Sequence, residues 1–153
     1  MNILLKSAKI IAPNSEYHQQ IKDILIKDGI ISKIDNSIVT DKDTKVISYD
    51  NLHVSKGWFD SSVSLGEPGH EERETIENGL KTAGLSGFTG IAVNPNAYPI
   101  ADTNADIGFL KAKASGNATN LYPIGALTIK SESVDLAELF DMKNAGAVAF
   151  GDY

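Results

Sequence analysis

The sequence predicts an α/β chain: a small β unit over residues 1–54, then strands and helices in alternation over residues 55–153. Three observations carry this. The first 54 residues are short Ile- and Val-rich runs broken by Lys and Asp. From Val54 onward, apolar runs of strand length alternate with runs of helical spacing. Glycines stand just past the helical runs.

In the first unit, "ILLKSAKII" (Ile3 to Ile11) and "KVISYD" (Lys45 to Asp50) read as short strands. "DILIKDGIISKI" (Asp23 to Ile34) reads as a hairpin, because Asp28-Gly29 lies between two β-type runs and glycine accepts positive φ. In the second unit the spacing predicts strand Val54–Ser64, helix Glu71–Leu85, strand Gly90–Asn94 and helix Asn104–Ser115. Strand Leu121–Ala126, helix Val134–Ala145 and strand Ala147–Asp152 follow. Ile76, Leu80, Ala83 and Leu85 mark the inner face of the first helix; Leu136, Leu139, Phe140 and Met142 mark that of the third. Gly87 and Gly146 are placed to end helices. Glu71, Glu72 and Glu74 suit a first helical turn through its dipole. Four such strands make half of an eight-stranded β/α barrel, with two open edges and one uncovered apolar face. The alternatives are a longer polypeptide, an association, or an open three-layer sheet.

Composition limits the function classes. At 42% apolar and 22% charged residues the chain is globular, and no apolar run reaches the roughly 18 residues of a membrane span. A net charge of -6 speaks against a broad basic nucleic-acid surface. No cysteine is present, so neither disulfides nor thiolate metal sites are expected, and a cytoplasmic location fits.

The stretch "GWFDSSVSLGEPGHEERETIENGLKTAGLSGFTGIAVNPNAYPIAD" resembles the amino-terminal half of the dihydroorotases, in the amidohydrolase superfamily. The shared residues are Gly57, Asp60, Glu67, Pro68, Gly69, Glu74, Thr75, Ile76, Glu77, Gly79, Gly87, Phe88, Thr89, Pro95, Asn96, Pro99 and Asp102. "PIGALT" and "NAGAVAFGD" resemble later family segments. The resemblance implies a partial metal-dependent-hydrolase β/α barrel, its first four strands preceded by a small β unit. It also implies a substrate-binding role for Asn96, which the family uses for the substrate carboxylate.

The departures fall on the chemistry. The family's metal-binding His-x-His falls on Ser62 and Ser64. Two residues apart on a strand puts both side chains on one face, which is how such a pair grips a metal; a neutral hydroxyl is a poor zinc ligand near pH 7. The family's substrate arginine falls on Gly66, removing its charge-assisted fork, and a further ligand position falls on Tyr153. Asp60, His70 and Asp152 remain as a residual site. His18, His53 and His70 do not pair at ligand spacing.

On these residues no catalytic residue, no bound metal and no cofactor are expected, although the family uses zinc. The expected role is a catalytically inactive dihydroorotase-like partner in pyrimidine biosynthesis, associating with itself or with aspartate transcarbamoylase. The alternative is an active cyclic-amide hydrolase, interconverting dihydroorotate and carbamoyl aspartate, with metal ligands from outside this chain. An allantoinase-like or hydantoinase-like hydrolase is a weaker third reading that fails on the same ligands.

Overall fold

Asp28 and Gly29 turn the chain with φ of 49° and 79°, and close a two-residue hairpin between strands β2 (Ile21–Lys27) and β3 (Ile30–Asp35). Both positive φ values match the right-handed twist of the strands they join. The computed structural model describes residues 1–153, in two units, Met1–Lys56 and Gly57–Tyr153. No helix in either is long and apolar enough to cross a membrane.

The first unit is a five-stranded sheet of order β3-β2-β1-β4, with β1 at Asn2–Ile11 and β4 at Lys45–Ile47. Strand β5 (His53–Ser55) also pairs with β1, in parallel. Val54, expected to open the first strand of the second unit, therefore belongs to this sheet. Ala8, Ile10 and Ile24 form its core. The β1–β2 register shifts between Leu5 and Ala8, where Ser7 sits at positive φ. The buried Asp23 carboxylate accepts the Ser7 N–H at 2.8 Å and the Ile38 N–H at 3.0 Å. A buried acid thus satisfies backbone donors in irregular segments beside the ladder.

The second unit is a four-stranded parallel sheet in sequence order: β6 (Trp58–Val63), β7 (Phe88–Val93), β8 (Asn120–Gly125) and β9 (Ala149–Phe150). Helices α1 (Ile76–Leu85), α2 (Asn104–Lys113) and α3 (Leu139–Ala145) connect them. Ile91, Val93 and Leu121 point to the helices and are buried with Ile76, Leu80, Ile107, Leu110 and Met142. On the other face, Phe59 meets Tyr122 edge-on at 5.6 Å and stays 56% exposed. Sequential order with one face covered is the first half of a β/α barrel and not a three-layer sheet.

Two helices begin later than the spacing predicts. α1 starts at Ile76, because Thr75 caps it by accepting the Asn78 N–H at 3.2 Å. The dipole reading of Glu71, Glu72 and Glu74 is thereby corrected; they lie before the helix. Glu71 accepts from the Gly69 N–H and Glu74 from the Thr75 N–H and the Asn78 amide. α3 starts at Leu139. Residues 134–138 instead run back along Leu127–Ile129, with Ile129 N–H to Asp135 and Ala137 N–H to Leu127. Leu136 and Phe140, expected in the core, are 67% and 75% exposed. Gly87 and Gly146 do take positive φ, 91° and 114°.

Glu67 joins the loop after β6 to both following helices. It is 7% exposed, accepts the Ile76 N–H at 2.9 Å, and pairs with Lys113 Nζ at 2.7 Å. Burial pushes its pKa up, but the Lys113 hydrogen bond, the Ile76 N–H and the Lys113 charge outweigh it and hold the carboxyl below its ordinary value. Lys113 is raised correspondingly by its bond to Glu67.

Two outcomes follow. An added Cβ at Gly29 meets no heavy atom within 4 Å, so Gly29→Ala tests backbone strain alone. It should cost roughly 1 kcal/mol in urea unfolding, and an unchanged midpoint would contradict the turn geometry. For Glu67→Gln, the lowered folded pKa means the carboxylate contributes stability above its unfolded value of 4.5 and loses it as pH falls through the folded value. Wild type should exceed the variant near neutrality and converge on it in acid. At the alkaline end the Lys113 contribution holds below 10.5 and fades above its raised folded value. A gap that persists unchanged to pH 2 would contradict the ion pair.

Candidate functional site

The site predicted from the sequence lies at the carboxyl ends of β6 and β7. β6 ends irregularly: its register against β7 slips between Asp60 and Val63, and Asp60 Oδ1 accepts the Ser62 N–H at 3.1 Å. At the end of β7, Asn94 donates its backbone N–H to Val63 at 2.9 Å. Its side-chain amide donates to Ser62 Oγ at 3.1 Å and reaches Ser64 Oγ at 3.5 Å. Asn96 donates to Ser64 Oγ at 2.8 Å, and the Ser64 hydroxyl points to the Tyr153 hydroxyl at 3.4 Å. The structure thus brings Ser62, Ser64, Asn96 and Tyr153 together around Asn94. All five side chains are neutral. Asn96 Oδ1 is buried without a partner.

Other predicted members stand apart. His70 Nδ1 lies 3.7 Å from Glu72 Oε1, in the loop before α1. Asp152 accepts the Leu127 and Thr128 N–H groups at 3.1 and 2.9 Å and the Thr128 hydroxyl at 2.7 Å. The Thr128 bonds foremost hold its carboxyl below the ordinary range. Asp152 therefore ties the last strand to the loop after β8. His53 rests on the Asn51 carbonyl at 2.6 Å, and His18 Nδ1 accepts the Ala12 N–H at 3.1 Å; both are local supports.

Gly66 is shaped by space. Its N–H donates to Glu74 and its carbonyl accepts from His70. A Cβ at Gly66 would lie 2.0 Å from the His70 carbonyl oxygen, a backbone atom that cannot swing away. The loop as folded has no room for an arginine side chain at this position.

Asn94 was missed by sequence reasoning, as were Glu67 as an anchor and Lys113. The signal for Asn94 was a second polar pair at two-residue spacing, Asn94 and Asn96, facing the Ser62–Ser64 pair on the neighbouring strand.

Comparison with known proteins gives the family and the fold. A family model described as dihydro-orotase-like matches residues 53–153. The dihydroorotase of Pelotomaculum thermopropionicum is 41% identical over 152 residues, covering 99% of this chain and 35% of that protein. The dihydroorotase of Geobacter metallireducens is 34% identical, covering 99% and 36%. The chain therefore spans about a third of the length of the curated relatives it matches. Among solved structures, the L-hydantoinase of Arthrobacter aurescens superposes with a TM-score of 0.79 at 21% identity, over 97% of this chain and 32% of that one. A dihydroorotase crystal structure gives 0.65 at 17% identity, over 97% and 41%. These structures support the barrel fold.

The relatives correct one expectation. Dihydroorotases and hydantoinases are zinc-dependent, so the absence of any cofactor does not stand: zinc is the group the family implies. The side chains at these strand ends do not fit it by themselves. Serine hydroxyls and asparagine amides offer no imidazole or carboxylate, and no three His, Asp or Glu side chains come together. No reaction step is assigned to a metal on these residues. With the family model covering residues 53–153 and close relatives aligned along nearly the whole sequence, this chain belongs to the dihydroorotase-like family.

Proposed function

We propose that this chain is a dihydroorotase-like protein of pyrimidine biosynthesis in which residues 57–153 act as scaffold, and that the scaffold role is exercised by association. The observation that carries this is the neutral cluster of Ser62, Ser64, Asn94 and Asn96 at the strand ends. Opening a cyclic amide near neutral pH requires an activated water and a polarised carbonyl. Serine and asparagine supply hydrogen bonds but neither of those effects. Gly66 leaves no room for a cation to orient a substrate carboxylate. A second copy of the chain or aspartate transcarbamoylase is the proposed partner. The exposed Phe59 and its neighbour Tyr122 offer the apolar area such a contact would bury.

A second reading is favoured by the 41% identity to a dihydroorotase. On it, dihydroorotate and carbamoyl aspartate are interconverted, and residues outside this chain complete the metal site. Asn96, with one buried oxygen unpartnered, would then hold substrate.

Assay in both directions, with zinc supplied and with the chain joined to the carboxyl-terminal remainder of a relative such as the Pelotomaculum thermopropionicum dihydroorotase, separates the two. The scaffold reading predicts no turnover that scales with the chain. Turnover that scales with it and falls at least about tenfold in Asn96→Ala would overturn that reading and establish the second.

A further inference from the structure

A cavity of about 260 Å³ lies in the second unit, between α2 and the loops that follow β6 and β7, and shares Asn94 as a wall with the serine cluster. Its floor is the buried apolar set Leu65, Val93, Ala101 and Leu110. Its mouth is made by Ala105 and Phe109, one helical turn apart on the exposed side of α2, and by Ala97 on the opposite loop. The Phe109 ring is held in place by Lys113, whose Nζ stands 5.8 Å from the ring centroid.

The polar groups in the wall are already engaged. Glu67 binds the Ile76 N–H and Lys113. Asp106 accepts from both the N–H and the hydroxyl of Thr103, at 3.1 and 2.6 Å. The Asn94 amide is turned to Ser62 and Ser64. A charged ligand entering here would lose its water and find no free counter-charge, which is strongly unfavourable. An uncharged apolar one has no charge to desolvate and gains the floor contacts, which offset its lost freedom of motion. An apolar cavity of about 150 Å³ already admits benzene. This one is larger and suits two fused rings or a short aliphatic chain of similar bulk.

We infer that this cavity is a binding site for a small, flat, uncharged apolar molecule, on the α2 side of Asn94 and opposite to the serines its amide meets. The inference does not depend on whether the chain hydrolyses an amide.

The test is titration of the isotope-labelled full chain with indole, followed by amide resonances. Saturable shifts are expected at Val93, Ala97, Ala101, Ala105 and Leu110. Indole-3-acetate, the same rings carrying a charge, should give none at the same concentration. Ala105→Phe and Ala97→Phe each fill the mouth from a different element. Each should weaken indole binding at least about tenfold, with resonances elsewhere unchanged as proof of folding. If one variant fails to fold, the other carries the test. Shifts that do not saturate or scatter over the surface would overturn the site, as would equal binding of indole-3-acetate or unchanged affinity in a folded variant.

Discussion

The side-chain amide of Asn94 is the contact on which the strand-end architecture depends. Parallel strands hold each other through evenly spaced backbone bonds, but β6 slips register before its end and loses that support. Asn94, 8% exposed, restores it from β7: its backbone N–H reaches Val63 and its amide reaches both serines. Ser64, so placed, receives Asn96 and meets Tyr153, three residues past the last strand. A strand end that would otherwise fray becomes a neutral hydrogen-bonded cluster. Such bonds contribute about 0.5–1.5 kcal/mol each and hold geometry without drawing in charge.

The loop after β6 depends on a second polar anchor, Glu67. Its carboxylate sits where α1 begins, takes an N–H that the helix cannot satisfy internally, and reaches across to the last residue of α2. The ion pair lets one buried charge serve both helices. It also sets one wall of the apolar cavity, and the tight return at Gly66 sets the path of the loop beside it. The loop is closed at Gly66 by backbone contacts, and at the strand ends the amides of Asn94 and Asn96 meet the two serines.

Much of this was legible in the sequence wherever a local rule has one physical solution. Asp28-Gly29 admits little but a tight hairpin, and alternating strands and helices point to a parallel sheet, the spacing leaving open whether helices cover one face or both. Strand period pairs Ser62 with Ser64, but β6 slips register and ends at Val63, so the Asn94 amide and not the period joins the two hydroxyls. The failures share a cause. Leu136 and Phe140 have helical spacing, yet the segment before Leu139 satisfies its backbone against Leu127–Ile129, and periodicity does not see a bond made across a loop. The three glutamates before α1 look like dipole partners until Thr75 is recognised as the cap. Glu67 and Lys113 are distant in sequence and meet only when α2 packs; no spacing rule links them. The expectation of a cofactor-free protein failed differently: it read two strand positions as if they spoke for a family whose members are about three times as long.

The most direct test of the strand-end account is a double-mutant cycle between Asn94→Ala and Ser62→Ala, read by urea unfolding. If the Asn94 amide holds the end of β6, the two changes should be coupled by about 0.5–1.5 kcal/mol, the double variant losing less than the sum of the singles. Strictly additive losses would contradict the account and leave the serine cluster a coincidence of packing.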